Sequence, residues 1–232
     1  MRIVVNHITR MAPGYMCVAG INTVDGTHVR PVLQGRRLSV SSLRRVGGPF
    51  DIASIVELGR TKAVGGPPEV EDQLFELRNA RRMGALRGDD FWNLLEQTTR
   101  PDLDSLFGRE LKAQGRTCAV DIGDGSASLG CLQPADRPMF RLEYDRLRIE
   151  LADPRFGRLS LPVTDFRLFN RDQETPRQEI VESINVRISG GIPIILSVGL
   201  TRSWQRPDDN QSRHWLQINN IHLQDDPVWQ VG

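Results

Sequence analysis

The chain has 232 residues, 25% of them charged and 39% hydrophobic, which suits one large or two small globular domains with a buried core. A formal net charge of +1 excludes a polyanion binder that works through its overall charge. There is no run of about 18 apolar residues, so no transmembrane helix is expected and no membrane is counted among the partners.

Arg2–Thr9 reads as a first strand, with Ile3, Val5 and Ile8 roughly alternating. It starts directly, with no signal peptide before it, and a cytoplasmic setting is expected. Tyr15–Leu33 follows as two strands about a turn. Val18, Ile21 and Val24 are apolar before the turn and Val29 and Val32 after it. Asp25-Gly26 between them is a strong hairpin signal, because Gly tolerates the positive φ of a tight turn. The second strand carries His28, Arg30 and then Pro31. Pro31 has no N–H for a ladder, which predicts a strand end or an open sheet edge presenting Arg30.

Gln34–Arg45 reads as a polar loop holding Arg36-Arg37 and Arg44-Arg45 with Ser39, Ser41 and Ser42 between them. Phe50–Leu58 is predicted as a strand. Gly65-Gly66-Pro67-Pro68 breaks the chain, and Gln73–Met83 fits either a helix or a strand. Asp89 or Asp90 predicts the cap of a short helix reaching Leu95, and a second short helix spans 102–111. In 116–134, Cys118, Val120 and Ile122 alternate, and Pro134–Pro138 marks an expected boundary. Beyond it Phe140–Tyr144, Leu147–Leu151, Arg158–Val163 (continuing through Phe166–Phe169) and Ile192–Val198 read as strands. Ile180–Ile188 is undecided, and His214–Leu223 is the last strand. Short strands with turn signals between them predict small barrels or a sandwich. The predicted class is mainly β with minor α: two small barrels in tandem, over 1–135 and 136–232, the first with a helical insertion around 83–111.

Cys17, Cys118 and Cys131 are widely spaced, with no CxxC pair and no Cys/His ligand set, so no metal site or disulfide framework is expected. Gly123-Asp124-Gly125 and Gly190-Gly191 lack the spacing of a phosphate loop or dinucleotide fingerprint, and no cofactor is expected. No GxSxG, HExxH or paired-carboxylate motif occurs, so no catalytic residue is assigned and an enzyme is disfavoured. Asp165 ends an apolar strand; a carboxylate there could act in catalysis, but a local turn hydrogen bond is the commoner role. Of the 30 Lys and Arg residues only Lys62 and Lys112 are Lys. A GC-rich coding bias explains most of that skew, so Arg carries meaning only where it clusters. Arg78, Arg81, Arg82 and Arg87 gather near the short helices, and two further clusters suit a binding surface. His28 and Arg30 with Arg36, Arg37, Arg44 and Arg45 suit a phosphate-contacting surface. Trp204, His214 and Trp215 beside Arg202, Arg206 and Arg213 could stack bases and hold phosphates. The plainer alternatives are solvated loops and a core Trp215.

An ordered set of segments resembles the dual OB-containing domain family of prokaryotic proteins. The set comprises Met1-Arg2-Ile3-Val4, Cys17-Val18-Ala19-Gly20-Ile21, Val29-Arg30-Pro31-Val32, Phe50-Asp51-Ile52 and Pro67-Pro68-Glu69. It continues with Leu161-Pro162-Val163-Thr164-Asp165, Leu196-Ser197-Val198-Gly199-Leu200 and His214-Trp215. The resemblance covers nearly the whole chain, and the helical patch between Met83 and Leu111 is longer than the family pattern. It implies two OB-like barrels and binding of nucleic acid, DNA or RNA, as a subunit or accessory in a larger complex, often in antiviral defence. The competing readings are a protein-interaction adaptor built on the same barrels and a nucleotide- or nucleic-acid-processing enzyme.

Overall fold

The structure, a computed structural model, describes residues 1–144 and 146–229. Eight strands open the chain: β1 (Arg2–Arg10), β2 (Tyr15–Asn22), β3 (His28–Val32), β4 (Leu38–Ser39), β5 (Ser54–Glu57), β6 (Lys62–Ala63), β7 (Asp72–Leu74) and β8 (Arg81–Ala85). They form one sheet in the order β6-β7-β3-β2-β1-β5-β8, with β4 on β2. Two helices and four strands follow: α1 (Gly88–Thr98), β9 (Thr99–Arg100), α2 (Leu103–Phe107), β10 (Lys112–Gln114), β11 (Thr117–Asp121) and β12 (Leu129–Leu132). The chain closes with β13 (Met139–Glu143), β14 (Arg146–Asp153), β15 (Gly157–Pro162), α3 (Gln178–Ser189), β16 (Ile194–Leu200), β17 (Trp204–Gln205) and β18 (Ser212–Leu223). A second sheet runs β10-β11-β18-β16-β12-β9 with β17 on β18, and β13-β14-β15 form a third. The protein is mainly β, in several sheets. Among the described strands only β3 with β7 and β9 with β12 pair in parallel.

Two apolar cores lie under these sheets. Ile3, Phe50, Phe91 and Leu95 belong to one, and Leu103, Phe107, Ile149 and Leu196 to the other. Up to Leu95 the buried apolar residues of these cores belong to the first, and from Leu103 on they belong to the second except Cys131 and Ile195. Strands β11 and β12 therefore pair with the end of the chain, Ala119 opposite Trp215 and Cys131 opposite Ser197. Pro134–Pro138 lie between β12 and β13, and Leu132 and Phe140 on either side both join the second core. The helical patch is shared out as well: α1 sends Phe91, Trp92 and Leu95 into the first core, and α2 sends Leu103 and Phe107 into the second. Amphipathic spacing shows that a helix has a buried face but not which sheet covers it.

Local chemistry explains the elements. The β2–β3 turn closes as expected, with Asn22 N–H donating to Thr27 O at 2.8 Å and Asp25 Oδ1 accepting from Thr27 N at 3.0 Å. Gly26 supplies φ +72° there. Gly20 in β2 meets β1 so closely that a Cβ would stand 2.6 Å from Val4 O. Asp102 caps α2, accepting from Ser105 N at 2.7 Å. The expected strand Phe50–Leu58 is shorter, because Ala53 takes φ +60° and its N–H donates to Val5 O, so pairing begins only at Ser54. Phe166–Leu168 is a 3₁₀ turn capped by Asp165 rather than a continued strand, and the undecided 180–188 region lies within α3.

Two bulges set the junction between the halves. In β1 the pairing passes from Val5 to His7, leaving Asn6 as an extra residue. In β18 it passes from Asn220 to Ile218, leaving Asn219. Each bulge turns its polar side chains toward the other half. Ile8 N–H donates to Asn220 Oδ1 at 2.6 Å, and Asn219 Nδ2 sits 3.2 Å from His7 Nδ1. Asn6 Nδ2 lies 3.4 Å from Ser197 Oγ, and Ser197 Oγ lies 3.0 Å from His222 Nε2. The halves thus meet across a buried polar seam.

Candidate nucleic-acid interface

The structure engages some of the residues singled out in the sequence in contacts between the halves, the exposed Arg202 among them, and leaves others at the surface. Arg30 is not on an open edge. β3 pairs with β2 at Val29 and then with β7 at Arg30, so the strand is flanked throughout. Arg30 is 4% exposed, and its Nε donates to Asp72 Oδ1 at 2.5 Å. Arg202 reaches from the second half to the same carboxylate, Nη2 at 2.6 Å from Asp72 Oδ2, and its Nη1 is 3.0 Å from Glu69 Oε1. His214 is buried, with Nδ1 2.9 Å from Thr201 O and 3.7 Å from Glu69 Oε1. Arg30, Arg202 and His214 therefore do come together, with the two guanidiniums on the carboxylates and the His214 ring packed beside them, tying the halves. The charge of Arg30 and Arg202 is spent on Asp72 and Glu69. His28 is half-buried, with Nε2 3.3 Å from Asn6 Nδ2.

The two Arg pairs lie at the surface of the first half. Arg36, Arg37, Arg44 and Arg45 are all exposed. Arg36 stands on a groove of about 760 Å³ together with Arg60, Lys62 and Arg78. β6 carries Lys62, and the 3₁₀ turn after β7 carries Arg78. Leu33, Leu74 and Leu77 form the apolar floor, and Glu76 is the one carboxylate among the lining residues, 2.9 Å from Arg78 Nε. Four cations against one carboxylate make this groove electropositive, and three of the four are Arg, whose planar fork suits phosphate. Arg44 and Arg45 line a separate, smaller depression with Arg167 and Arg177. There the Arg45 guanidinium stands 5.3 Å from the Phe166 ring centroid. Arg60 and Lys62 escaped the sequence reading because they stand apart from the Arg clusters, and Arg78 was grouped there with Arg81, Arg82 and Arg87 rather than with Arg36. Only the β6–β7–β3 order puts them beside Arg36.

A family model for the dual OB-containing domain matches residues 1–221. The chain belongs to the dual OB-containing domain family. No curated protein matches it. In this dual OB-containing domain protein, no group of three or more His, Cys, Asp or Glu among the described residues is placed to hold a metal ion. Among the described residues no helix is long and apolar enough to cross a membrane.

The second aromatic cluster is partly structural. Trp215 is 3% exposed, its Nε1–H donates to Trp204 O at 3.1 Å, and the Arg206 guanidinium covers its ring at 3.6 Å. Arg213 is paired with Asp121 and Asp209. Trp204, at 46% exposure, keeps a ring open to solvent. Replacing Trp215 with Ala is expected to cost about 3–5 kcal/mol, as for other buried aromatics. Chemical denaturation checks this, and an unchanged midpoint would return Trp215 to the list of stacking candidates.

Proposed function

We propose that this protein binds single-stranded or hybrid nucleic acid, gripping the phosphate backbone in the groove of Arg36, Arg60, Lys62 and Arg78. The observation that carries the reading is the concentration of four cations in one groove of a chain whose formal net charge is only +1. Membership of a family of nucleic-acid-binding fold supports it. Phosphate contacts of this kind give position and affinity without reading sequence. Arg37, exposed next to Arg36, and Arg44 and Arg45 extend the basic surface, and Trp204 offers an aromatic face for stacking. A place as subunit or accessory in a larger, defence-related complex rests on the family resemblance alone.

Charge reversal tests the groove. In the variant R36E/R60E/K62E/R78E, affinity for labelled single-stranded DNA and RNA should fall for every sequence alike. The slope of log affinity against log salt should flatten by about 3, since each single-strand phosphate contact contributes about 0.7. R44E/R45E, in the separate depression, should change affinity less. Wild-type affinity and slope in a well-folded groove variant would remove the groove from the interface. Absence of binding by the wild type at any salt would instead favour the adaptor reading, for which Met139, Leu142 and Tyr144 on and beside the β13 strand, all exposed, are the observation in hand.

A further inference from the structure

A second large cleft, about 850 Å³, opens between the β2–β3 turn and β7 on one side and α1, β9, α2 and β12 on the other. Its carboxylates are already occupied. Glu71 accepts from Ser128 N and Oγ at 2.7 Å each and from Leu129 N at 3.2 Å. Asp25 accepts from Thr27. The carboxamides of Gln73 and Gln97, by contrast, make no hydrogen bond among the described residues. His28 lines the same cleft. Its Nε2 faces Asn6 Nδ2 at 3.3 Å and Cys131 Sγ at 3.7 Å, two groups with hydrogens to donate. In the neutral tautomer in which Nε2 accepts from them, the proton sits on Nδ1. Burial keeps the ring neutral by pushing its pKa down to about 4. The Nδ1–H has no protein partner among the described residues. Arg100 is the one Lys or Arg on the lining, exposed, with Nη1 bonded only to the neighbouring Thr99 O at 3.1 Å.

Two unspent carboxamides and an imidazole N–H match the mixed donors and acceptors of a nucleobase edge. Leu94, Leu106 and Leu129 supply apolar wall for the base faces. A single guanidinium matches a single phosphate. The volume falls within the range of small-ligand sites, about 300–1,000 Å³. We propose that this cleft is a nucleotide site, taking one base with its phosphate, either as a free nucleoside monophosphate or as one nucleotide splayed out of a bound strand. The inference rests on the nucleic-acid reading only for the second source.

The test titrates the four ribonucleoside 5′-monophosphates, and the matching nucleosides, into the full chain while following the His28 ring by NMR. Saturable movement of the His28 signals is expected for at least one base. Q73L/Q97L should weaken nucleotide and nucleoside alike, by about tenfold for the loss of about 1.4 kcal/mol of hydrogen bonding. R100Q should weaken the monophosphate and leave the nucleoside unchanged. If the source is a bound strand, Q73L/Q97L also weakens an oligonucleotide about tenfold while its salt slope is kept, because no phosphate contact is lost. If the source is a free nucleotide, oligonucleotide affinity is unchanged and the monophosphates still bind. The proposal is overturned when no monophosphate moves His28 at millimolar concentration and the oligonucleotide affinity of Q73L/Q97L equals that of the wild type. Monophosphate binding by a wild type that binds no oligonucleotide would overturn the groove reading and leave this one standing.

Discussion

Acidification from pH 7 to pH 4.5 is expected to destabilise the protein by several kcal/mol, before most carboxylates titrate. His7, His28 and His222 are gathered in or beside the polar seam between the halves, and each is held neutral. Burial is the main cause for all three, and it takes His28 down to about 4 and His222 to about 3. His7 is lowered well below its ordinary value by burial and then by His28, His222 and Arg30; Arg167 adds to the effect on His222. In the unfolded chain each ring titrates near 6.5. Below that pH the unfolded state binds protons that the folded state refuses, so stability is complete above about 6.5 and is lost as pH falls. Each ring removes about 1.4 kcal/mol per pH unit within its window, and the three together about 4. Partly exposed carboxylates with lowered values, such as Asp102 and Glu150, act in the same direction but only below their ordinary range of 3.8 to 4.5. Denaturation midpoints between pH 7 and pH 4.5 check the slope. His222→Gln should flatten it by about a third, because one of three rings no longer titrates. A stability that stays level from pH 7 to pH 5 would mean that the rings are not buried neutral.

Much of the fold was legible because its signals are local. Asp25-Gly26 makes its turn within five residues, Asp102 caps α2 three residues on, and His214–Leu223 alternates along most of β18. What was hidden depends on partners distant in sequence. Ala53 takes a left-handed conformation because Val5 and Leu86 bond its backbone on either side, which a strand-like run from Phe50 to Leu58 does not disclose. Arg30 reads as an edge residue beside Pro31 until β7 arrives with Asp72. The pairing of β11 and β12 with the last strands, which carries the change of core back to α1, is equally non-local. The same holds for the candidate interface. Arg36 was visible as half of an Arg pair and Arg78 as one of a group with Arg81, Arg82 and Arg87, whereas Arg60 and Lys62, and the grouping of all four, gain meaning only from the sheet order. His28 could be named, but its place on a cleft with Gln73 and Gln97 could not.

Replacing Asp165 with Ala is expected to unfold the protein or to cost about 3–5 kcal/mol, the range for breaking one partner out of a buried pair. Asp165 has no exposed surface, which closes it to any substrate and decides against a catalytic carboxylate. Its two oxygens are fully engaged. Oδ1 accepts from Arg167 N and Nε at 3.0 Å each, and Oδ2 accepts from Arg167 Nη2 at 2.7 Å and from Ile221 N at 3.0 Å. Arg167 in turn donates to Ile221 O and Trp229 O and lies 3.7 Å from the Trp229 ring centroid. On the other side Arg10 N–H donates to Thr164 O, so the same turn ties β1 to β18. Ala at 165 leaves a buried guanidinium without its counter-charge and Ile221 N–H without an acceptor. Asn should fare little better, since its amide restores an oxygen for Ile221 but no charge for Arg167. The double variant D165A/R167M separates the causes. Removing both charges should recover part of the loss, because an apolar pair of similar volume carries no desolvation penalty. Recovery will be incomplete, because the Trp229 carbonyl loses its Arg167 donor and the Ile221 carbonyl keeps only Trp229 Nε1–H. A double variant no more stable than D165A would show that the backbone bonds of Asp165, and not the buried ion pair, hold the turn.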